Sequence, residues 1–227
     1  MRYFYCSLWI LLSFISLNAN AFKVDSLLKV MDDKDSYVVV SSSKQTGREY
    51  IHISLSSVDL HGESSGKEMP LDPKRVAEWP VLLEPSEIIL DAGDEVRVKI
   101  IRNSEPQLDD MLIGVSFIPD AESMNTINST LQVSVGYKTW LVIPGKSPFS
   151  GSVTAKRDAG NVTISNASNK IIRVLSDECI GKEPSSCVSS IISLPGTTKR
   201  VDAASVGARL SFYEFSNISK KIKEVTL

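Results

Sequence analysis

Apolar and polar residues alternate with a period of two along most of the chain. Ile51, Ile53 and Leu55 alternate with His52, Ser54 and Ser56, and Val96, Val98 and Ile100 alternate with Arg97, Lys99 and Ile101. Successive strand side chains point to opposite faces, so each run predicts a strand with one buried face. Tyr37–Val40, Ile88–Leu90 and Met111–Ile118 add further strands, with Asp91-Ala-Gly-Asp94 as a turn. No segment shows a convincing amphipathic helix. Residues 59–80, of mixed composition and broken by Pro70, Pro73 and Pro80, read as an irregular crossover loop.

One run is longer than the rest. In "STLQVSVGYKTWLVIPG", residues 129–145, Leu131, Val133, Val135, Tyr137, Thr139, Leu141 and Ile143 share one parity. This predicts a strand over 129–143, more than twice the usual length of about 5–6 residues. Pro144-Gly-Lys-Ser-Pro148 then breaks any element, and the pattern restarts. Val162 and Ile164 alternate, Asn166-Ala-Ser-Asn169 predicts a turn, and Ile171–Leu175 is expected to return as the partner strand. Ile191-Ile192, Val201, Leu210–Phe212 and Phe215 continue the series. The pattern predicts an all-β chain of two immunoglobulin-like β-sandwich domains in tandem, over 22–144 and 145–227.

The N-terminus reads differently. Arg2 precedes an apolar stretch from Leu8 to Leu17, followed by Asn18-Ala19-Asn20-Ala21. A charged start, a short apolar core and an A-x-A site predict a signal peptide over 1–21. That core is shorter than the roughly 20 residues needed to span a bilayer, and nothing downstream is apolar for long enough, so the chain is expected to be secreted and not membrane-embedded. Cys6 leaves with the signal. Cys179 and Cys187 remain as an even pair in an oxidising compartment, which predicts a disulfide; a metal pair is the rival, without a His or further Cys nearby. A net charge of −2 shows no basic surplus, so no nucleic-acid partner is expected. His52 lies on the polar face of a strand and His61 in a polar loop, and no nucleophile, phosphate-loop or metalloprotease motif occurs. No enzymatic activity, cofactor or metal is expected.

The long run therefore carries the functional question. It is either packed along its whole length inside its own sandwich or partly offered to another protein. An open strand edge invites aggregation unless it has a partner. With one, strand addition supplies main-chain bonds and alternate side chains fill pockets.

Three stretches carry a resemblance: "EPSEIILDAGDEVRVKI" (84–100), "LQVSVGYKTWLVIPG" (131–145) and "GNVTISNASNKIIRVLSDECIGKEPSSCVSSIISLPGTTKRVD" (160–202). In this order and spacing the chain resembles the periplasmic chaperones of the chaperone–usher pilus pathway, and its Cys pair is nearer to the alternative, common-pilus-like branch. The resemblance implies a non-enzymatic periplasmic protein that lends its long strand to pilin subunits and delivers them to an outer-membrane usher. On this sequence Leu131, Val133 and Val135 match the lent apolar row, with Ile127 as an extension. The resemblance also implies cations in the cleft between domains that hold the subunit's C-terminal carboxylate; Lys138 is the candidate on the closing strand and Lys29 on the first strand. It leaves room for a self-capped homo-oligomer in the free state. The alternative reading is a secreted pilus structural subunit or adhesin, which should carry a free N-terminal extension and a single incomplete sandwich. Here Phe22–Val30 is short and two sandwiches are expected.

Overall fold

The computed structural model describes residues 22–31, 35–43, 46–105, 107–120, 135–158, 161–177, 188–202 and 209–227. Strands dominate. The first sandwich is built from β1 (Lys23–Val24), β2 (Leu28–Val30), β3 (Asp35–Ser41), β4 (Arg48–Val58), β5 (Glu68–Pro70), β6 (Val81–Glu84), β7 (Glu87–Asp91), β8 (Glu95–Arg102), β9 (Met111–Pro119) and β10 (Tyr137–Ile143). One sheet runs β1-β3-β8-β6; the other runs β2-β10-β9-β4-β5, with β7 also pairing β4. The second sandwich takes β11 (Gly151–Asp158), β12 (Asn161–Ser168), β13 (Ile172–Asp177), β14 (Val188–Ser193), β15 (Thr198–Asp202), β16 (Arg209–Glu214) and β17 (Asn217–Thr226). Its sheets are β11-β12-β15 and β14-β13-β16-β17. Among the described residues no helix is long and apolar enough to cross a membrane.

Each sandwich closes over the parity read from the sequence. Val38, Val40, Val98 and Ile100 of one sheet meet Ile51, Ile53, Leu55, Val115, Phe117 and Leu141 of the other. In the second sandwich Val153, Val162, Ile164, Ile172, Val174, Leu210 and Phe212 form the core. The first strand segment switches sheets: β1 pairs β3, whereas β2 runs parallel to β10 with Leu28 opposite Trp140 and Val30 opposite Val142. At the switch, the Thr139 hydroxyl donates to the Ser26 carbonyl.

A third apolar cluster joins the two sandwiches. Val58, Leu60, Leu112 and Val142 pack with Ile171 and Phe215, and Trp140, Ile192 and Leu194 lie against them. Beside it sits a buried ion pair. Asp110 accepts from the Lys170 ammonium, the Gly145 amide and the Ile171 amide, each at 2.9 Å. Lys170 also donates to the Gly145 carbonyl. The two side chains are 4% and 3% exposed, so every charge here is desolvated and partnered. Gly145 is required by close approach: a Cβ there would lie 2.3 Å from the Asp109 carbonyl carbon.

Four expectations are corrected. Of the run expected over 129–143, Tyr137–Ile143 forms β10, Val135 and Gly136 lie outside that strand, and 129–134 fall outside the described residues. The pairing strand β9 ends at Pro119, which has no N–H to extend the ladder, and Tyr137 already faces Phe117. That strand also buries both faces at its far end, because Val142 and Trp140 pack against the second sandwich while Leu141 and Ile143 enter the first core. Residues 59–80 contain 3₁₀ turns at Gly62–Ser64 and Pro73–Glu78 and the short strand β5, which docks on β4. Finally, β13 is not the partner of β12; it lies in the opposite sheet between β14 and β16. The reason is Asn166, which is 1% exposed. Its amide donates to the Lys170 and Ser193 carbonyls and its oxygen accepts from Ser168, fastening a corner between sheets instead of a hairpin. Cys179, Cys187 and the signal segment 1–21 lie outside the described residues.

Candidate functional site

The outer face of the β2-β10-β9-β4-β5 sheet forms one wall of a cleft between the sandwiches. Cross-strand register places Trp140 beside Gly114, Gly114 beside Ser56, and Ser56 beside Pro70. Gly114 makes this row possible: a Cβ there would stand 2.5 Å from the Ser56 hydroxyl and 3.2 Å from the Trp140 ring. The resulting cavity, about 490 Å³, is walled by Leu27, Val58, Leu112, Trp140, Ile192 and Leu194, with Glu68 and Lys199 as its charged lining.

Lys138 stands at the mouth of this cleft. It has the same parity on β10 as Trp140, and its ammonium lies 5.1 Å from the Trp140 ring centroid, within cation–π range. The ammonium donates to Glu68 Oε1 at 2.5 Å, and the Ser56 hydroxyl donates to the same oxygen at 2.5 Å. Those two donors, Lys138 first and then Ser56, hold the Glu68 carboxyl below its ordinary value. The pair is half-buried, with Lys138 33% and Glu68 35% exposed.

Lys29 is placed elsewhere. It pairs with Leu141 across the β2–β10 ladder and so lies on the opposite face of the sheet from Lys138. Its ammonium donates to Asp25 and to the Tyr37 carbonyl and lies 4.9 Å from the Tyr37 ring. The structure does not bring Lys29 and Lys138 together; Lys199 on β15 shares the cleft instead. Of the proposed donor row, Val135 is described and is 48% exposed. Ile127, Leu131 and Val133 lie outside the described residues. Upstream of Trp140, β2 no longer pairs with β10. His52 and His61 are both exposed.

Sequence reasoning missed Glu68, Ser56, Gly114 and the cleft role of Trp140. For Trp140 a signal existed: Trp140–Ile143 is an unbroken apolar run, the mark of a strand buried on both faces. Glu68 had none, being on a strand of three residues inside a stretch read as loop.

The fold of two immunoglobulin-like sandwiches joined at a cleft is shared with solved fimbrial chaperones. The class 5 fimbriae chaperone CfaA has this fold, at 15% identity and a TM-score of 0.55 over 91% of this chain and 97% of that one. So does the SafB chaperone solved with the SafA pilin of Salmonella enterica, a structure matched at 12% identity and a TM-score of 0.53 over 91% and 95%. The family model for the CS5 fimbrial protein N-terminal domain matches residues 24–144. An Escherichia coli relative, described as an uncharacterized 25.9 kDa protein in the CS5 3′ region, is 31% identical over 206 residues, covering 90% of this chain and 89% of its own. The chain belongs to the CS5 fimbrial protein family.

Proposed function

We propose that this chain is a periplasmic chaperone for fimbrial subunits, acting by binding and without chemistry of its own. Residues 1–21 direct secretion and are removed, 22–144 form the subunit-binding domain and 145–227 the second domain, stapled by a Cys179–Cys187 disulfide. The apolar row Ile127, Leu131, Val133 and Val135 fills the open groove of an incomplete subunit, and the loaded chaperone passes it to an outer-membrane usher. The observation that carries this reading is the junction at Trp140: downstream, β10 is clamped between two cores, and upstream its pairing with β2 stops. Burying each Leu or Val of the row in a subunit contributes about 1.5–3 kcal/mol. Lys138, at the cleft end of that row, gives the subunit's C-terminal carboxylate a charge-assisted seat. Lys29, held by Asp25 and Tyr37, supports the switch between sheets.

The test is co-purification of a CS5 fimbrial subunit with wild type and with Val133→Asp. A charge cannot enter an apolar groove cheaply, so the variant should fold and recover little subunit. Equal recovery would refute the donor role. The alternative of a structural subunit requires an incomplete sandwich; both described sandwiches have two facing sheets.

A further inference from the structure

The cation that the proposed function assigns to the subunit's carboxylate is already occupied in the free protein. We propose that Glu68 is a resident carboxylate that holds Lys138 until an incoming C-terminal carboxylate displaces it. The proposal rests on the anchor reading of Lys138 given above, and adds a competitor built into the chain.

The chemistry of the seat is matched. Glu68 presents the same functional group that a peptide C-terminus would bring, and Lys138 and Ser56 both donate to one of its oxygens. The pair can be exchanged. Both side chains keep about a third of their surface in solvent, so neither partner is stranded in an apolar interior when the contact opens. The carrier element is slight: β5 is three exposed residues paired only with the end of β4. A destination exists too. Glu68 also lines a second groove of about 650 Å³, mainly apolar with Leu55 and Trp79 in its walls, in which His52, Ser54 and Ser116 are polar members. A displaced carboxylate has those polar groups and the solvent it already meets to receive it.

The consequence is selectivity. An empty ammonium beside an apolar cavity would attract any small carboxylate. With Glu68 in place, a stray acid must compete with a tethered one, whereas a subunit that also pairs along the strand has energy to spare for the exchange.

The test uses a peptide of the last fifteen or so residues of a CS5 fimbrial subunit, made as free acid and as C-terminal amide, titrated calorimetrically into the full mature chain. Glu68→Gln keeps the Ser56 contact but removes the charge. The free acid should bind this variant about two- to fivefold more tightly than wild type, the size of a half-exposed ion pair. The amide should bind both alike. Ser56→Ala, which loosens Glu68 without touching Lys138, should shift the free acid in the same direction by less. Free-acid affinity unchanged in Glu68→Gln and Ser56→Ala, with Lys138→Ala still weakening it, overturns the proposal and leaves the anchor standing. If Lys138→Ala changes neither peptide, the anchor reading falls and takes this proposal with it. Matching circular dichroism and thermal midpoints establish that each variant is folded.

Discussion

Two lysine–carboxylate pairs flank the junction between the sandwiches, and they differ in kind. Lys170 and Asp110 are almost wholly buried, and their polar atoms are shared with the Gly145 and Ile171 backbone. Lys138 and Glu68 are half in water, with one further hydrogen bond from Ser56 and the Trp140 ring beside the ammonium. The same two functional groups thus make a lock in one place and a replaceable contact in the other. Burial and the number of supporting hydrogen bonds, more than the charges themselves, decide which.

The largest effect that would sharpen this contrast is at the buried pair. Lys170→Ala leaves Asp110 charged and desolvated, and should cost about 3–5 kcal/mol in urea unfolding. A smaller loss, of about 1–3 kcal/mol, is expected for Gly145→Ala, because its Cβ would overlap the Asp109 backbone and something must move; the thermal midpoint reads it. Lys138→Ala should cost no more than about 1 kcal/mol of stability, while still weakening subunit binding. A stability loss equal to that of Lys170→Ala would break the comparison outright.

The smallest effect is in pH. The Glu68 carboxyl is held below its ordinary value of 4.5 by Lys138 and Ser56. Its ionised form is therefore favoured by folding, so its contribution is complete above the ordinary value and is lost as pH falls through the lower, folded value. The stability gap between wild type and Glu68→Gln should accordingly be constant near neutrality and close on acidification below the ordinary value of 4.5. A gap that widened there would contradict the pairing.

Alternation made the sandwich strands legible. Ile51, Ile53 and Leu55 on β4 and Val98 and Ile100 on β8 announced their buried faces because each covers one core and nothing else. Alternation misleads where a strand serves two cores. Trp140 and Val142 occupy the parity assigned to solvent, and only the second sandwich accounts for them. Asn166 failed for a related reason: its side chain bonds backbone 4 and 27 residues away, so a local turn signal marked a tertiary fastening. Glu68 was out of reach because its partner lies 70 residues along the chain. Lys138 was legible as a cation on the closing strand, but its pairing to Glu68 and its separation from Lys29 depend on sheet register, which parity alone does not give.

Under the proposed strand donation, the clamp on β10 from Trp140 to Ile143 gives any lent strand a fixed zero mark. Whatever chain lies alongside it must be measured from the same origin, because sliding by one residue would turn every side chain to the wrong face. A client could then vary widely in sequence and still be gauged in length, so that only one whose tail ends at the origin sits flush.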